Sequence, residues 1–542
     1  MHWRDGGKSD IRRTVMQRRS GRMVIALVPV FAAMIIASCG NENTIGPVIA
    51  TLVLQSGTGQ TAPAGSTLPV PFTVRAQDQA NQPVSGVTVL WEVTSGGGSV
   101  SPTQSITGSD GLASTTLRLG SAAGSNTVTA TFSGGQPVVF SATALPLSGP
   151  GGTSPNVNYA SVSAGGRSSC GVTTSNVLFC WGYNGEGQLG IGAAPLGSGT
   201  VYAYPQPSAA TGTLTFRETV AALYHACGIT LSGVGYCWGV NHDGRLGTGN
   251  VAPPATAPVQ VVTPTSFQSI SVGGVHTCGV SVSNRVFCWG YARDGELGSG
   301  KLAPIVDSLG NVTAPAPDYL AIPTEADSGG TLGLRYKAVA AGGVHTCAIT
   351  TASFGSVAFC WGDNQYGQLG NGSFGVSSSF FTPNAVARDD IQFAAITAGF
   401  THTCGIDTSG IPYCWGGNDS GQLGTGTSGD MSGTPTAVSG GLTFTTISAG
   451  KSHTCAVTGS GAVYCWGGNA YGQLGDGTTS NRTAPVLVSG ALHFKGVAAG
   501  DRHTCAVTTD NLAYCWGDNQ YGQLGDGSTN RRTAPAKVLS QP

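Results

Sequence analysis

The chain has 542 residues, 85 of them glycine, with only 9% charged and 40% apolar residues. So much glycine with so little charge argues against a largely helical protein, and the apolar share, ample for packed cores, argues against wholesale disorder. The formal net charge is −1, and beyond residue 22 no Lys/Arg cluster stands out, which argues against nucleic-acid binding by counterion displacement.

The N-terminus reads as a targeting segment. Seven basic residues (Arg4, Lys8, Arg12, Arg13, Arg18, Arg19, Arg22) precede an apolar run over 24–37, short for a membrane span but suited to the core of an export signal. The run ends in Ile36-Ala37-Ser38-Cys39. This resembles the lipobox of bacterial lipoproteins, in which the cysteine is lipid-modified and becomes the new N-terminus; a transmembrane anchor is the other reading. On the lipobox reading 1–38 is a lipoprotein signal peptide, Cys39 carries the lipid and 39–48 is a tether. Gly40 in place of Asp points to an outer membrane. The mature chain then holds 18 basic and 24 acidic residues, is exported, and is lipid-anchored in a bacterial cell envelope or at its surface.

Over 49–145 apolar and small polar residues alternate in short runs. Val87, Val89, Trp91 and Val93 share one strand face, opposite Thr88 and Glu92, and Val128, Ala130 and Phe132 repeat the pattern. Turn signals at Asn81-Gln82-Pro83, Gly96-Gly97-Gly98 and Ser109-Asp110-Gly111 space the runs as a β-sandwich requires. Phrases such as QPVSGVTVLWEV and AGSNTVTATF resemble the bacterial immunoglobulin-like domains of the invasin and intimin type, which implies a non-catalytic spacer or adhesin stalk. The Gly/Ser/Pro-rich stretch 146–156 reads as a linker.

From residue 157 to the end, a unit of about fifty residues recurs seven times, marked by Trp181, Trp238, Trp289, Trp361, Trp415, Trp466 and Trp516. Each unit runs from an aromatic-containing strand to a Cys strand, a turn, a second Cys strand and a Gly-rich loop; the fifth contains Phe393, Ile396, Gly399, Cys404, Cys414, Trp415 and NDSGQLGTG. Cysteines ten positions apart face each other across a β-hairpin. The pairs are Cys170 with Cys180, Cys227 with Cys237, Cys278 with Cys288, Cys347 with Cys360, Cys404 with Cys414, Cys455 with Cys465 and Cys505 with Cys515, the fourth having three extra residues in its turn. Setting Cys39 aside, the fourteen pair off completely, and export favours seven local disulfides. Buried free thiols are the alternative, and zinc is a poorer one for want of a close Cys-x-x-Cys. The tryptophan follows the second cysteine directly, points to the opposite face, and is expected to pack against a neighbouring unit.

The phrases HTCAV, CWG and N-x-x-G-x-L-G resemble the regulator of chromosome condensation repeat family over about seventy per cent of the chain. The resemblance implies a seven-bladed β-propeller, so the fold expected is all-β: an immunoglobulin-like sandwich followed by a propeller. A radial arrangement agrees with the need of each small sheet to cover both faces. Pro-x-x-Val strands such as APVQV and TPTAV lie between units, and the last copy, at 534–538, is expected to complete the first blade. Six units carry a histidine two residues before the first cysteine (His225, His276, His345, His402, His453, His503) and Ser168 takes that place in the first. They read as a repeated structural answer, with a ring of metal ligands as the rival; no cofactor is expected.

No nucleophile elbow, HExxH helix or acid pair stands out, so the chain reads as non-catalytic. Family resemblance supplies the fold and not the activity, since export and the acidic balance are incompatible with nuclear nucleotide exchange and chromatin binding. What remains is recognition of a protein or glycan by propeller loops, with the insertions at 301–335 and 192–214 and the residues Tyr319, Tyr366, Tyr471 and Tyr521 as candidate contacts. An inhibitor of an extracellular enzyme, a glycan-active propeller enzyme and an envelope scaffold are the alternatives.

Overall fold

A computed structural model describes residues 51–541 apart from 64–66, 69, 121–123, 146–156, 193–202, 252, 264, 301, 303–304, 307–311, 315, 327–332 and 376–377. The export signal, Cys39, the tether and the linker lie outside the described residues. Among those described the protein is all-β, with a single 3-10 turn at Ala352–Phe354. That turn takes up the extra residues of the fourth hairpin.

The N-terminal region is a sandwich of two sheets. One orders Thr51–Ser56, Phe72–Gln77, Leu112–Arg118 and Ser99–Ser101; the other orders Gln60–Pro63, Val138–Leu145, Gly124–Thr131, Thr88–Ser95 and Gln104–Ile106. The alternation read from the sequence sets the faces: Val89, Trp91, Val128 and Ala130 are buried while Thr88, Leu90 and Glu92 are exposed. Phe72 stacks on Phe140 at 4.7 Å in the core between them.

Seven four-stranded antiparallel sheets follow, over 159–209, 216–260, 267–325, 336–385, 393–437, 446–487 and 494–537, here blades 1 to 7. Within each, the two central strands pair cysteine to cysteine. In blade 6 Cys455 faces Cys465 and Thr454 faces Trp466. All seven cysteine pairs are joined as disulfides with Cα atoms 4.0–4.1 Å apart.

Each tryptophan ring is fully buried against the preceding blade, where it meets that blade's disulfide. Trp466 of blade 6, for instance, packs with Cys404, Cys414, Leu423 and Val438 of blade 5. Burying one indole removes roughly 200 Å² from water, about 5 kcal/mol as an upper estimate. The last glycine of the G-x-L-G phrase makes room for it. Gly424 has φ +69, and a Cβ there would stand 2.7 Å from Trp466 Nε1, a site closed to any other residue.

Polar contacts lock the same interfaces. The histidine Nε2 of one blade stands 2.7–2.9 Å from a hydroxyl of the next: His225 with Thr277, His276 with Thr346, His345 with Thr403, His402 with Thr454, His453 with Thr504 and His503 with Ser169. That hydroxyl donates to the main-chain carbonyl of Arg245, Glu296, Gln368, Gln422, Gln473 or Gln523 in the first blade, at 2.8–3.0 Å. The same carbonyl accepts the tryptophan Nε1–H. Because the hydroxyl proton is committed, the imidazole must donate, which fixes the Nε2–H tautomer.

The expectation that 534–538 completes the first blade is not met. Arg532–Lys537 pairs with Ala513–Gly517 inside blade 7, and blade 1 takes its own fourth strand, Ala203–Ala209, from the stretch read as an insertion. Each blade begins one strand later than expected, at its aromatic strand, and the Pro-x-x-Val strand ends its own blade. Blade 7 meets blade 1 as any blade meets the next: Tyr159 N donates to Asn511 O just as Phe494 N donates to Gly461 O. The wheel closes by face packing, with Val157 N on Ser540 O as an added tie.

One interface differs. Blade 1 has Ser168 where the others have histidine, and blade 2 has Ala226 where the others have threonine or serine, so both halves of one lock are missing together. Trp238 still donates to Gln188 O at 2.9 Å. Installing Ser168→His and Ala226→Thr together is expected to stabilise the propeller by about 1 kcal/mol. Ser168→His alone, with its buried N–H unpaired, is expected to destabilise it by about 1–3 kcal/mol. A double-mutant cycle by urea denaturation measures the coupling; strictly additive effects would refute the lock.

Candidate binding face

The turn between strands one and two of each blade and the loop between strands three and four emerge on the same propeller face. Around the channel the first of these turns is built from small residues because neighbouring turns touch. A Cβ added at Gly342 would stand 2.6 Å from Gly399 O, and Gly343 N donates to that same oxygen. The turns around the channel are thus mainly alanine and glycine, with Leu223, Val272, Phe400, Lys451 and Asp501 among the other lining residues.

At that mouth, blades 6, 7, 1 and 2 enclose a cleft of about 570 Å³ lined by Arg167, Lys451, Arg502, Asp501, Asp518, Tyr224, Gln520 and Tyr521 among others. Arg167, Lys451 and Arg502 are exposed. Each lies over an aromatic ring: Arg167 at 5.3 Å from Tyr521 and 5.7 Å from Tyr183, Arg502 at 4.6 Å from Tyr471, Lys451 at 5.2 Å from Phe400. Tyr183 and Tyr521 meet edge to face at 5.0 Å across the blade 1 and 7 interface. Asp501 lies deep among the cations, and burial raises its carboxyl above the usual carboxylate range despite Lys451, Arg502 and Arg167 nearby.

Blades 3 and 4 gather acids instead, on the loop between strands three and four. Glu296 occupies the place held by glutamine in five blades, is fully buried, accepts the Asp294 amide N–H through Oε2, and leaves Oε1 without a partner. Burial first, then Asp294 and Asp363, push its carboxyl up to about 8. It is therefore largely protonated at neutral pH and stands in for the amide of its relatives. Asp294 is raised too, by its own burial and then by Asp363 and Asp318.

The candidate tyrosines divide. Tyr471 and Tyr521 belong to the cationic sector as supports for arginines. Tyr366 is half-buried on blade 4, its amide donating to Gln368 Oε1. Tyr319 is not a loop contact at all: it opens the fourth strand of blade 3, Tyr319–Glu325, opposite Tyr291. The insertions accordingly shrink, since each supplies a strand. The six histidines face neighbouring blades and not a common ion, and among the described residues no three or more His, Cys, Asp or Glu side chains are arranged to hold a metal ion. The Asn of the loop phrase folds its own turn, Asn469 Oδ1 accepting Leu474 N at 3.0 Å. Sequence reasoning missed Arg167, Lys451 and Arg502; the signal was there, in the two positions just before the histidine place, where these blades alone carry cations.

The sequence profile of the RCC1-like domain matches residues 142–493. The chain belongs to the RCC1-like family. Profiles of the regulator of chromosome condensation (RCC1) repeat match 494–523 and 510–542, and a bacterial Ig-like domain (group 1) matches 56–144. Among relatives, the E3 ubiquitin-protein ligase HERC2 of Homo sapiens is 30% identical over 339 residues, 61% of this chain but 6% of that protein, so the chain spans only a small part of it. The ultraviolet-B receptor UVR8 of Arabidopsis thaliana is 31% identical over 341 residues, 61% of this chain and 70% of that one. Among solved structures, human WBSCR16 superposes with a TM-score of 0.56 at 20% identity, covering 69% of this chain and 90% of that one. Yeast RCC1 (Prp20), solved bound to Kap60, gives 0.55 at 19%, covering 71% and 85%. These last two similarities establish the fold.

A raised carboxyl pKa means that the stability it confers is full below about pH 4.5 and is lost as pH rises toward 8. Glu296→Gln is expected to raise stability at pH 7 by on the order of 2–3 kcal/mol and to flatten the pH dependence across that window, read by denaturation at several pH values. An unchanged slope would show that Glu296 ionises normally.

Proposed function

We propose that this is an exported, lipid-anchored envelope protein of bacteria whose propeller binds another protein through its loop face, without catalysis. The observation that carries this is the mouth cleft, where exposed cations and aromatic rings from four blades gather with no ion pair between them and the cleft's carboxylates. Arginine and tyrosine at a concave rim suit protein contact. Yeast RCC1, a protein of this fold, was solved with Kap60 bound to it. An inhibitor of an extracellular enzyme is the sharper form of this reading. Glycan hydrolysis is less well supported: among the acids that do gather, Asp294, Glu296 and Asp363, the one with the most raised pKa is sealed from solvent. The Ig-like domain serves as spacer between anchor and propeller.

A photo-crosslinker at the exposed Gln520 is expected to capture a discrete partner on intact cells, while one at the exposed Val282, on the opposite face, captures none. Capture from Val282 alone would overturn the assignment of the face. Metabolic labelling with an alkynyl fatty acid is expected to mark the wild type and to vanish in Cys39→Ala; equal labelling of both would remove the anchor.

A further inference from the structure

We infer that the cleft of blades 6, 7, 1 and 2 takes an acidic segment of a protein partner, its carboxylates engaging Arg167, Lys451 and Arg502. This rests on the binding reading above and adds the partner's chemistry.

Exposed cations are ordinarily solvated and signify nothing, so what distinguishes these three is their arrangement. Among the described residues five ion pairs form, and each joins other groups: Arg245 with Asp243, Arg285 with Glu325, Arg388 with Asp390, Arg482 with Asp476 and Arg532 with Asp526. Arg167, Lys451 and Arg502 instead rest on ring faces, at 4.6–5.3 Å from the nearest centroid. A guanidinium lying on a ring keeps its N–H edge free and loses less side-chain entropy when that edge is engaged. The matching group is planar and accepts two parallel hydrogen bonds, as a carboxylate does.

The cleft's own acids narrow the class. Asp501 sits at its floor and Asp518 on its wall, so three cations are opposed by two carboxylates. A dense polyanion such as a sulfated glycan would be forced against both. A peptide spaces its carboxylates and carries N–H groups between them, which can donate to Asp501 and Asp518 while its side chains reach the cations. Tyr224, 42% exposed on the rim, and Phe400, 39% exposed beneath Lys451, add the apolar contact that a peptide chain uses.

The test is fluorescence anisotropy of the mature protein with a labelled peptide alternating glutamate and glycine, competed by its glutamine counterpart, by heparin-derived oligosaccharide and by inorganic phosphate. The glutamate peptide is expected to bind, more weakly as salt rises, and to lose about tenfold or more in affinity in Arg167→Ala/Lys451→Ala/Arg502→Ala, with Arg388→Ala as an unaffected control. Arg167→Lys/Arg502→Lys, which keeps charge and removes the fork, is expected to lose several-fold and guards against misfolding of the triple variant. Undiminished binding in the triple variant, or displacement by the sulfated oligosaccharide at lower concentration than by unlabelled glutamate peptide, would overturn the inference. If crosslinking at Gln520 still captures a partner when the peptide fails, the acidic assignment falls and the binding face stands; if the peptide binds and nothing is captured, the reverse holds.

Discussion

A single hydroxyl, caught between the imidazole of one blade and a main-chain carbonyl shared with a tryptophan, is the contact on which this wheel depends. It recurs at six of seven interfaces, and it works only while the imidazole is neutral. Burial ensures that: the pKa is held down to about 3 in His276, His345, His453 and His503, to about 4 in His402, and well below the usual value in His225, where Arg245 and His276 add to desolvation. The linkage follows directly. A depressed imidazole pKa confers stability that is present above pH 6.5 and drains away as pH falls toward 3, at about 1.4 kcal/mol per unit for each histidine. Six histidines acting together make the propeller robust near neutrality and brittle in acid.

The disulfide and the lock divide the labour. Sulfur joins the central hairpin within a blade, in the chain-entropy model contributing up to about 3 kcal/mol for a loop this short, and presents a flat apolar surface. The next blade's tryptophan lies on that surface and finds its polar partner at the edge. Covalent, apolar and hydrogen-bonded terms therefore meet at one spot, which is why the sequence repeats Cys-Trp-Gly and not merely a strand pattern. Among the described residues no ion pair joins one blade to another, which leaves charge to be used at the mouth.

Much of this was legible. Strand alternation fixed the sandwich faces at Val89 and Trp91, and even spacing placed Cys455 opposite Cys465, because a two-residue period leaves little choice. The direction of the tryptophan followed from its adjacency to cysteine. Less legible were the fourth strands of blades 1 and 3, AYPQPSA and YLAIPTE, which lack the Pro-x-x-Val spacing and so looked like loop. The partner of each histidine was hidden because it lies in another copy of the same phrase, 51 to 70 residues on for five of them and 334 residues back for His503; the joint loss at Ser168 and Ala226 was the one trace of it. The cationic cleft was invisible for a different reason. Arg167 lies hundreds of residues from Lys451 and Arg502 and meets them only because the wheel brings blade 7 back to blade 1.

The central claim is that six imidazoles are locked neutral as Nε2–H donors. Nitrogen-detected NMR of the histidine side chains, recorded from pH 8 down to pH 5, reads tautomer and protonation directly. The account requires six rings in the Nε2–H form with no titration over that range. Six rings titrating near 6.5, or holding the proton on Nδ1, would contradict it.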